Sequence, residues 1–355
     1  MYPKLSIDLS KLDHNIKTIL KLCEFYHLEV VGVTKALSGH PDVAQTMMEA
    51  GLSILSDSRC ENLLKYQSLP VKKMLLRLPM LSELEDVVML ADISLHSEVV
   101  TLKAINEIAK NLQLIHEVMI MVDMGDLREG IFYQEELDEV IETIKQCTHL
   151  RCIGIGTNLS CYGGLIPTQQ ILTKLVNLQR YTVNHLPSCK VISGGNSSTL
   201  HLMLTEKTLP PITQLRLGES LFLGVETAYG MRLEDTYDDV CLLEAEVIEV
   251  KHKPSAPQGK IGRNAFGEVK QFKDVGERFV CICAVGLQDT DVTMTPCNED
   301  LRILGASSDH LLLEITNGSD IAVGDILSFK LSYGSLLKAS TSPYVNKEMV
   351  KSFLK

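Results

Sequence analysis

A lysine stands at the end of a short apolar stretch near the start of the chain. Residues 29–34 read Glu-Val-Val-Gly-Val-Thr, and Lys35 follows them just before a helical pattern. A buried strand with this ending would belong in a (β/α) barrel, where catalytic groups lie at the C-terminal ends of the strands. A partly desolvated lysine in such a place can lose its proton and form a Schiff base. A surface lysine that merely ends a strand has the same local pattern, so the rest of the chain must decide.

Two later segments have the composition of a phosphate site. Residues 193–198 read Ser-Gly-Gly-Asn-Ser-Ser and open a helical pattern, so backbone N–H groups, hydroxyls and a helix N-terminus suit an anion. Residues 216–220, Arg-Leu-Gly-Glu-Ser, follow the next apolar stretch, and the loops after the last two strands form the usual phosphate site of a barrel. An ordinary turn has a similar composition. A lysine, a phosphate site and an arginine between them are nevertheless together what pyridoxal phosphate requires.

The elements that must position these residues alternate as a barrel requires. Eight short apolar stretches alternate with amphipathic stretches between about residue 10 and about residue 225, which is typical of a buried parallel sheet surrounded by helices. The sequence therefore predicts an α/β fold, with a (β/α)8 barrel over residues 1–228. A doubly wound sheet is the alternative, but no Gly-x-Gly-x-x-Gly follows the first strand. The strands tend to end in a polar residue: Lys35, Asp57, Arg77, Asp123, Asn158, Ser193 and Arg216.

The last third of the chain has a different pattern. Stretches of alternating apolar and polar residues, such as 241–250, 278–283 and 311–315, are separated by segments rich in turn residues. This pattern predicts a β domain over residues 229–355, built as a small barrel or sandwich.

Composition argues against several classes of protein. The 355 residues are 45% hydrophobic and 22% charged, which suits a barrel plus a smaller domain. The net charge of −11 and the lack of a basic cluster argue against a nucleic-acid partner. No apolar run is long enough to span a membrane, and the first residues lack a signal-peptide core. Ten scattered cysteines predict reduced thiols in the cytoplasm, and the one close pair, Cys281 and Cys283, has the wrong spacing for a zinc site, so we expect no metal.

Several segments together resemble the alanine racemase family of pyridoxal-phosphate enzymes. The resemblance covers essentially the whole chain, because residues 305–311 and 324–325 also match the β domain of that family. Residues 73–80, 157–163 and 288–291 are most similar to the ornithine racemases within it. The segments of the barrel that carry the resemblance are Lys35 and residues 123–130, 157–159, 193–198 and 216–219.

The resemblance implies an enzyme that racemises a small-molecule substrate, a basic amino acid, with ornithine first and lysine second. It would remove the α-proton on one face and return it on the other. The resemblance also implies a head-to-tail homodimer in which the β domain of one subunit completes the active site of the other. The alternatives are an alanine or broad-specificity racemase and a pyridoxal-phosphate carrier without turnover.

The resemblance further implies roles for individual residues. Lys35 would hold the cofactor and act as one acid/base. Arg216 would donate a hydrogen bond to the pyridine nitrogen, and because arginine does not readily give up its proton, the ring becomes a weaker electron sink. Tyr333 would add a phenol to the phosphate site, although an ordinary strand tyrosine is the alternative. The other residues expected to contact the cofactor are Asn158, Ser193, Gly195, Asn196, Gly218 and Glu219.

One departure from the family pattern leaves the second acid/base open. The family places a tyrosine of the partner's β domain opposite the lysine, whereas residues 262–267 here read Gly-Arg-Asn-Ala-Phe-Gly. Racemisation with two bases needs a proton acceptor on each face. The candidates that the sequence offers are Cys283, Asp289, Asp291, His310 and Tyr162.

Three charged residues are expected to contact the substrate. Asp289 and Asp291 could bind the distal ammonium of a basic amino acid, because an ammonium in a desolvated pocket needs a carboxylate. Arg128, by its position in its motif, could bind the substrate carboxylate or the phenolic oxygen of the cofactor.

Overall fold

The computed structural model describes residues 1–317 and 319–354 as two compact units. One, the barrel unit, comprises Leu9–Tyr237 and the end of the chain from Phe353; the other, the C-terminal unit, comprises Met1–Asp8 and Asp238–Ser352. The predicted division had a single boundary between residues 228 and 229. The N-terminal segment lies in the second unit because its strand pairs with two strands from the C-terminal part of the chain.

The barrel unit is a closed barrel of eight parallel strands surrounded by helices, so the predicted (β/α)8 barrel is confirmed. Counting from β1 (Lys4–Asp8) of the other unit, its strands are β2 (Glu29–Val33), β3 (Ile54–Asp57), β4 (Lys72–Leu75), β5 (Ile93–His96), β6 (His116–Met121), β7 (Leu150–Gly156), β8 (Val191–Ser193) and β9 (Gln214–Leu217). Its α-helices are α1 (Leu9–Phe25), α2 (Pro41–Glu49), α3 (Cys60–Lys65), α4 (Leu84–Leu90), α5 (Val99–Asn111), α6 (Gln134–Gln146), α7 (Gln169–His185), α8 (Leu200–Thr205) and α9 (Glu219–Leu223).

Hydrophobic side chains from the strands fill the barrel. Alternation along each strand sends one set of side chains inward and the other towards the helices, so both sets are apolar in a sheet that is covered on both faces. Strand β9 pairs with β2, from Glu29 opposite Gln214 to Gly32 opposite Leu217, and this pairing closes the barrel. One buried cluster contains Val31, Ile54, Met74, Ile93, Leu95, Met119 and Met121.

The C-terminal unit is built on an eight-stranded sheet, as the predicted β domain requires. Six strands follow the order β12-β15-β10-β11-β14-β13, while β1 pairs antiparallel with β10 and parallel with β16. Its remaining elements are β10 (Cys241–Pro254), β11 (Glu277–Cys283), β12 (Thr295–Pro296), β13 (Leu301–Ala306), β14 (Leu311–Ile315), β15 (Ile326–Lys330), α10 (Tyr333–Thr341) and β16 (Asn346–Val350).

None of the helices in residues 1–317 and 319–354 is both long and apolar enough to cross a membrane.

Candidate active site

Lys35 lies at the C-terminal end of β2, where the sequence predicted it. It begins a short 3₁₀ helix (Lys35–Leu37) and is half-buried. The end of β9 packs directly against the end of β2, because a Cβ atom added at Gly218 would lie 3.0 Å from Cβ of Val33. Glu219 follows Gly218, and its carboxyl interacts electrostatically with the amine of Lys35. Lys35 therefore faces the loop that follows the last strand of the barrel.

A buried hydrogen-bond cluster fixes Thr34, the residue just before Lys35. The hydroxyl of Thr34 donates to Asp57 Oδ2 over 2.7 Å. The other oxygen of Asp57 accepts from the backbone N–H of Ser58 at 2.7 Å and from Asn62 Nδ2 at 2.9 Å. Burial raises the pKa of Asp57, and these hydrogen bonds oppose the rise. The strand ends β2 and β3 are thus tied together beside the lysine.

Arg216 lies in β9 with its guanidinium inside the barrel and only 3% of its surface exposed. Its Nη2 donates to the carbonyl oxygen of Thr157 at 2.6 Å and to Asn158 Oδ1 at 2.8 Å. Its Nη1 donates to the hydroxyl of Ser193. Burial lowers the pKa of Arg216 to about 10, which still leaves the guanidinium charged at neutral pH. Three neutral acceptors from β8 and the loop after β7 therefore fix the orientation of a buried cation.

The predicted phosphate loop follows β8 and has the shape of an anion site. Gly195 has a φ of +106°, and a Cβ atom added there would lie 2.9 Å from Oγ1 of Thr199, so the turn needs glycine. Asn196 Oδ1 accepts from the N–H of Ser198 at 2.9 Å and caps the 3₁₀ helix that follows. Within residues 1–317 and 319–354, the backbone N–H groups of Gly195 and Asn196 donate no hydrogen bond.

The residues at this end of the barrel fit pyridoxal phosphate. An amine at Lys35, the open N–H donors of the phosphate loop and the buried cation of Arg216 correspond to the three groups that the cofactor needs. The hydroxyl of Ser193 accepts from Arg216, and it retains its own proton to donate to a phosphate oxygen.

Glu129 is a residue of this site that the sequence did not single out. Its carboxylate accepts from Nε and from Nη2 of Arg128, the latter at 2.6 Å, and it also accepts from Nδ2 of Asn158. Burial alone would lower the pKa of Arg128, but the hydrogen bond with Glu129 and the nearby negative charges together outweigh burial and raise it. Arg128 and Arg216 are thus joined through one carboxylate and one amide.

Asp126 is a second residue that the sequence did not single out. It is 1% exposed and accepts hydrogen bonds from the backbone N–H groups of Cys161, Tyr162 and Leu165, each at 2.9 Å. Burial would raise the pKa of Asp126, but these hydrogen bonds outweigh it and hold the pKa below its usual value. Asp126 therefore ties the loop after β6 to the loop after β7. Its only sequence signal was its place beside Arg128 in the motif of residues 123–130.

Glu219 has an unusual ionisation behaviour for a glutamate. Burial raises its pKa to about 7, although the amine of Lys35 opposes the rise. A carboxyl that titrates near neutral pH beside a lysine is typical of functional sites.

Cys283 and His310, two of the candidates for the second acid/base, occupy contrasting places in the C-terminal unit. Cys283 ends β11, is fully buried, and has a thiol pKa that burial raises to about 12, so it has the character of a core residue. His310 is exposed in the turn between β13 and β14, where its carbonyl oxygen accepts from the N–H of Ser307 at 2.9 Å.

Asp289 and Asp291 make hydrogen bonds to the region of α10. Asp289 is 6% exposed, and its Oδ1 accepts from the hydroxyl of Ser342 at 2.6 Å. Asp291 Oδ1 accepts from the hydroxyl of Ser335 at 2.7 Å and from the N–H of Thr293 at 2.9 Å. Burial alone would raise the pKa of Asp291, but these hydrogen bonds outweigh it and lower the pKa. Both carboxylates thus help to fix the loop that precedes β12.

Tyr333 and Tyr162 complete the set of expected residues. Tyr333 is the first residue of α10, so it lies in a helix rather than in a strand. Tyr162 lies on the loop after β7 with 77% of its surface exposed.

The structure therefore places ten of the expected residues at the C-terminal end of the barrel and the other five in the C-terminal unit. The five candidates of the C-terminal unit lie on a buried strand end, a loop, a hairpin turn and a helix. No three His, Cys, Asp or Glu side chains converge as a possible metal site in the part of the chain that the structure describes. The ten residues at the C-terminal end of the barrel are Lys35, Arg128, Asn158, Tyr162, Ser193, Gly195, Asn196, Arg216, Gly218 and Glu219.

Comparison with known proteins identifies similar chains. Residues 7–225 match the family model described as alanine racemase, N-terminal domain. An ornithine racemase of Acetoanaerobium sticklandii is 44% identical, covering 99% of this chain and 100% of that protein. A lysine racemase of Thermotoga maritima is 38% identical, covering 98% of each chain. Among solved structures, an alanine racemase of Bartonella henselae with covalently bound pyridoxal phosphate has a TM-score of 0.72 at 17% identity and covers 98% of this chain and 99% of that one, which supports the fold.

Proposed function

The chain belongs to the alanine racemase family, whose members are pyridoxal-phosphate enzymes, and from that premise we propose that it racemises a basic amino acid. Ornithine is the first substrate and lysine the second. The observation that carries this proposal is the 44% identity to an ornithine racemase over 99% of the chain. The 38% identity to a lysine racemase supports the same class of substrate.

The amine of Lys35 has the two tasks of holding the cofactor and moving a proton at Cα of the substrate. Bound pyridoxal phosphate supplies a ring that withdraws electrons from Cα and so weakens the Cα–H bond. Lys35 takes or returns that proton on one face, as a positioned general base and acid. Its half-buried position at the C-terminal end of β2, beside Glu219, supports this role.

Arg216 donates a hydrogen bond to the pyridine nitrogen and leaves that nitrogen without a proton. Two observations support this role of Arg216. Its guanidinium stays charged at neutral pH, although burial lowers the pKa of Arg216 to about 10. Its orientation is fixed by three acceptors, on Thr157, Asn158 and Ser193. Held by Arg216 in this way, the cofactor would be a weaker electron sink, which would favour return of the proton to Cα over side reactions.

The phosphate group has its donors in the loops after β8 and β9. We assign it to the hydroxyl of Ser193 and the backbone N–H groups of Gly195, Asn196 and Gly218, with Glu219 at the edge of the site. The open N–H donors and the glycine conformation at Gly195 support this assignment. Tyr333 is proposed as a further donor from the C-terminal unit.

Arg128 binds the α-carboxylate of the substrate in this proposal. Its exposed guanidinium uses Nε and Nη2 for Glu129, which leaves further N–H groups for a second carboxylate. The distal ammonium of ornithine then goes to Asp289 or Asp291. Each of these carboxylates accepts hydrogen bonds within its own unit, but a carboxylate has lone pairs for several donors.

The second acid/base is proposed among Asp289, Asp291, His310 and Tyr162. Full burial and a raised thiol pKa make Cys283 the least suitable candidate. Because the family assembles its active site from two subunits, we also propose a head-to-tail homodimer. A cytoplasmic location is proposed as well, since the free cysteines suit a reducing compartment.

The test of the proposed function is deuterium exchange followed by NMR with chiral analysis of the product. Purified protein with pyridoxal phosphate is incubated in heavy water with L-ornithine, L-lysine or L-alanine in separate samples. We expect loss of the α-proton with appearance of the D-enantiomer, fastest for ornithine. The fastest turnover for alanine would instead identify an alanine or broad-specificity racemase. A bound-cofactor spectrum without exchange of any substrate would identify a carrier.

The assignment of the distal ammonium has its own test. Asp289→Asn and Asp291→Asn should each lower the preference for ornithine over alanine if the carboxylate binds the ammonium. An unchanged ratio of kcat/KM for the two substrates in both variants would show that the ammonium binds elsewhere.

A further inference from the structure

Glu129 contacts both Arg128 and Asn158, and Asn158 in turn contacts Arg216. It follows Arg128 directly in the loop after β6, and its carboxylate accepts hydrogen bonds from Nε and Nη2 of that arginine. The same carboxylate accepts from Nδ2 of Asn158, which lies on the loop after β7. One side chain therefore connects a charged residue at the surface of the site with an amide that reaches into the barrel.

The contact with Glu129 decides which way the amide of Asn158 faces. A carboxylate can only accept hydrogen bonds, so the NH₂ group of Asn158 must face Glu129. The oxygen of the amide consequently faces the barrel, where it accepts from Nη2 of Arg216 at 2.8 Å. Without this constraint, the amide could rotate and present a donor to the guanidinium, which also donates.

The charge of Glu129 also acts at Arg216. The direct acceptors of this buried guanidinium, Thr157, Asn158 and Ser193, are all neutral. Glu129 contributes the negative charge that opposes the effect of burial on the pKa of Arg216, whereas the charge of Arg128 acts in the opposite direction. Burying a cation among neutral acceptors is costly, and the charge of Glu129 reduces that cost, whereas the orientation of Arg216 depends on its three direct acceptors.

The neighbouring carboxylate of Asp126 makes its hydrogen bonds with backbone groups and not with either arginine. Its oxygens accept from three backbone N–H groups, those of Cys161, Tyr162 and Leu165, and so it holds the loop. Glu129 differs because all of its described side-chain contacts go to Arg128 and Asn158.

We propose that Glu129 is a positioning residue for both halves of the reaction site. Its charge orients Arg128 towards the α-carboxylate of the substrate, and its acceptor oxygen sets the Asn158 amide that holds Arg216 against the cofactor ring. The assignment of the two arginines rests on the proposed function. The two tasks need different properties of Glu129, namely charge for Arg128 and a hydrogen-bond acceptor for Asn158.

Two substitutions separate these properties. Glu129→Gln keeps an acceptor oxygen for Nδ2 of Asn158 but removes the charge that orients Arg128. Glu129→Ala removes both. The matched control is Glu117→Gln, because Glu117 also contacts an arginine, Arg151, and lies near the opposite end of strand β6.

Each variant is measured in three ways: kcat and KM for ornithine, the Kd of pyridoxal phosphate from absorbance titration of the apoprotein, and the thermal midpoint. We expect Glu129→Gln to raise KM about 10-fold while kcat and the Kd of the cofactor change less than about 3-fold. Glu129→Ala should raise KM similarly and also raise the Kd of the cofactor about 10-fold. Glu117→Gln should lower the thermal midpoint without changing either binding constant.

The inference is overturned if Glu129→Gln leaves KM unchanged, or if Glu129→Ala binds the cofactor no more weakly than Glu129→Gln. A shift in the thermal midpoint alone, as in Glu117→Gln, would also overturn it, because that result indicates a purely structural residue. The cofactor titration does not depend on turnover. Absence of racemisation in the unsubstituted protein would therefore refute the proposed function and leave the Asn158 half of the inference testable.

Discussion

The expected functional residues lie together at one end of the barrel unit, whereas those of the C-terminal unit lie on separate elements. In the barrel, residues as far apart in the chain as Lys35 and Arg216 occupy the same end, because all eight strands are parallel and their C-terminal ends meet there. In the C-terminal unit, the strands are mostly antiparallel, and consecutive strand ends point in alternate directions. Candidates such as Cys283 and His310 consequently occupy a buried strand end and an exposed hairpin turn. A polar strand end therefore predicts a site in a parallel barrel, but it does not in an antiparallel sheet.

The largest expected effect tests the barrel half of this comparison. Lys35→Ala should reduce ornithine racemisation at least about 10³-fold, because it removes both the covalent anchor and one acid/base. The measurement is the rate of α-deuterium exchange at saturating pyridoxal phosphate. Cys283→Ala, in the core of the C-terminal unit, should leave that rate within about 3-fold. A larger loss in Cys283→Ala than in Lys35→Ala would reverse the comparison.

The second prediction concerns the loops of the barrel end. Asp126→Asn should lower the free energy of unfolding by about 2–4 kcal/mol. The reason is that the new NH₂ group would face backbone N–H groups, which in the unsubstituted protein donate hydrogen bonds to the carboxylate. Urea denaturation measures this change. Asp138→Asn, at a partly exposed position of helix α6, is the control and should leave the midpoint nearly unchanged.

A third prediction uses a buried histidine pair in the barrel. Ser94 Oγ lies 2.8 Å from Nε2 of His96 and 2.8 Å from Nε2 of His116, and burial lowers the two pKa values to about 3 and about 4. Between pH 6.5 and pH 4 the unfolded chain takes up protons that the folded chain does not, so stability falls as pH falls. The slope is at most about 1.4 kcal/mol per pH unit for each histidine.

Urea midpoints at pH 7, 6 and 5 measure this slope. Substitution of His96 by Gln should reduce it, whereas His310→Gln, in the exposed turn of the C-terminal unit, should preserve it. An equal reduction in both variants would mean that the buried pair is not the source.

The smallest expected effect is a change of stability with pH, and its sign is opposite to that of the histidine pair. The pKa of Glu219 is raised to about 7, so the folded apoprotein binds a proton that the unfolded chain releases above pH 4.5, and stability falls as pH rises from 4.5 to 7. Glu219→Gln should remove this contribution. Asp291→Asn is the control from the C-terminal unit, because the lowered pKa of Asp291 predicts the same change in midpoint at pH 5 and at pH 8. A pH-independent effect of Glu219→Gln would contradict the assignment.

The sequence by itself determined the barrel and which polar residues lie at the C-terminal ends of its strands. Apolar stretches of strand length and helical patterns are local signals, and they located all eight barrel strands. Polar residues at the strand ends, such as Asn158 and Ser193, followed from the same pattern. Once the strands are parallel and closed, these residues have to meet, so local patterns sufficed to predict their proximity.

Only the tertiary structure decided the contacts that depend on side-chain direction and on pairing between distant segments. The chain of contacts from Arg128 through Glu129 and Asn158 to Arg216 spans 88 positions of the sequence and has no periodic signal. Strand β1 belongs to the C-terminal unit because it pairs with β10 and β16. These partners lie more than 230 residues further along the chain, so no local pattern predicted the pairing. A hydrophobic pattern states that a strand is buried, but the strand against which it pairs depends on the packing of the whole chain.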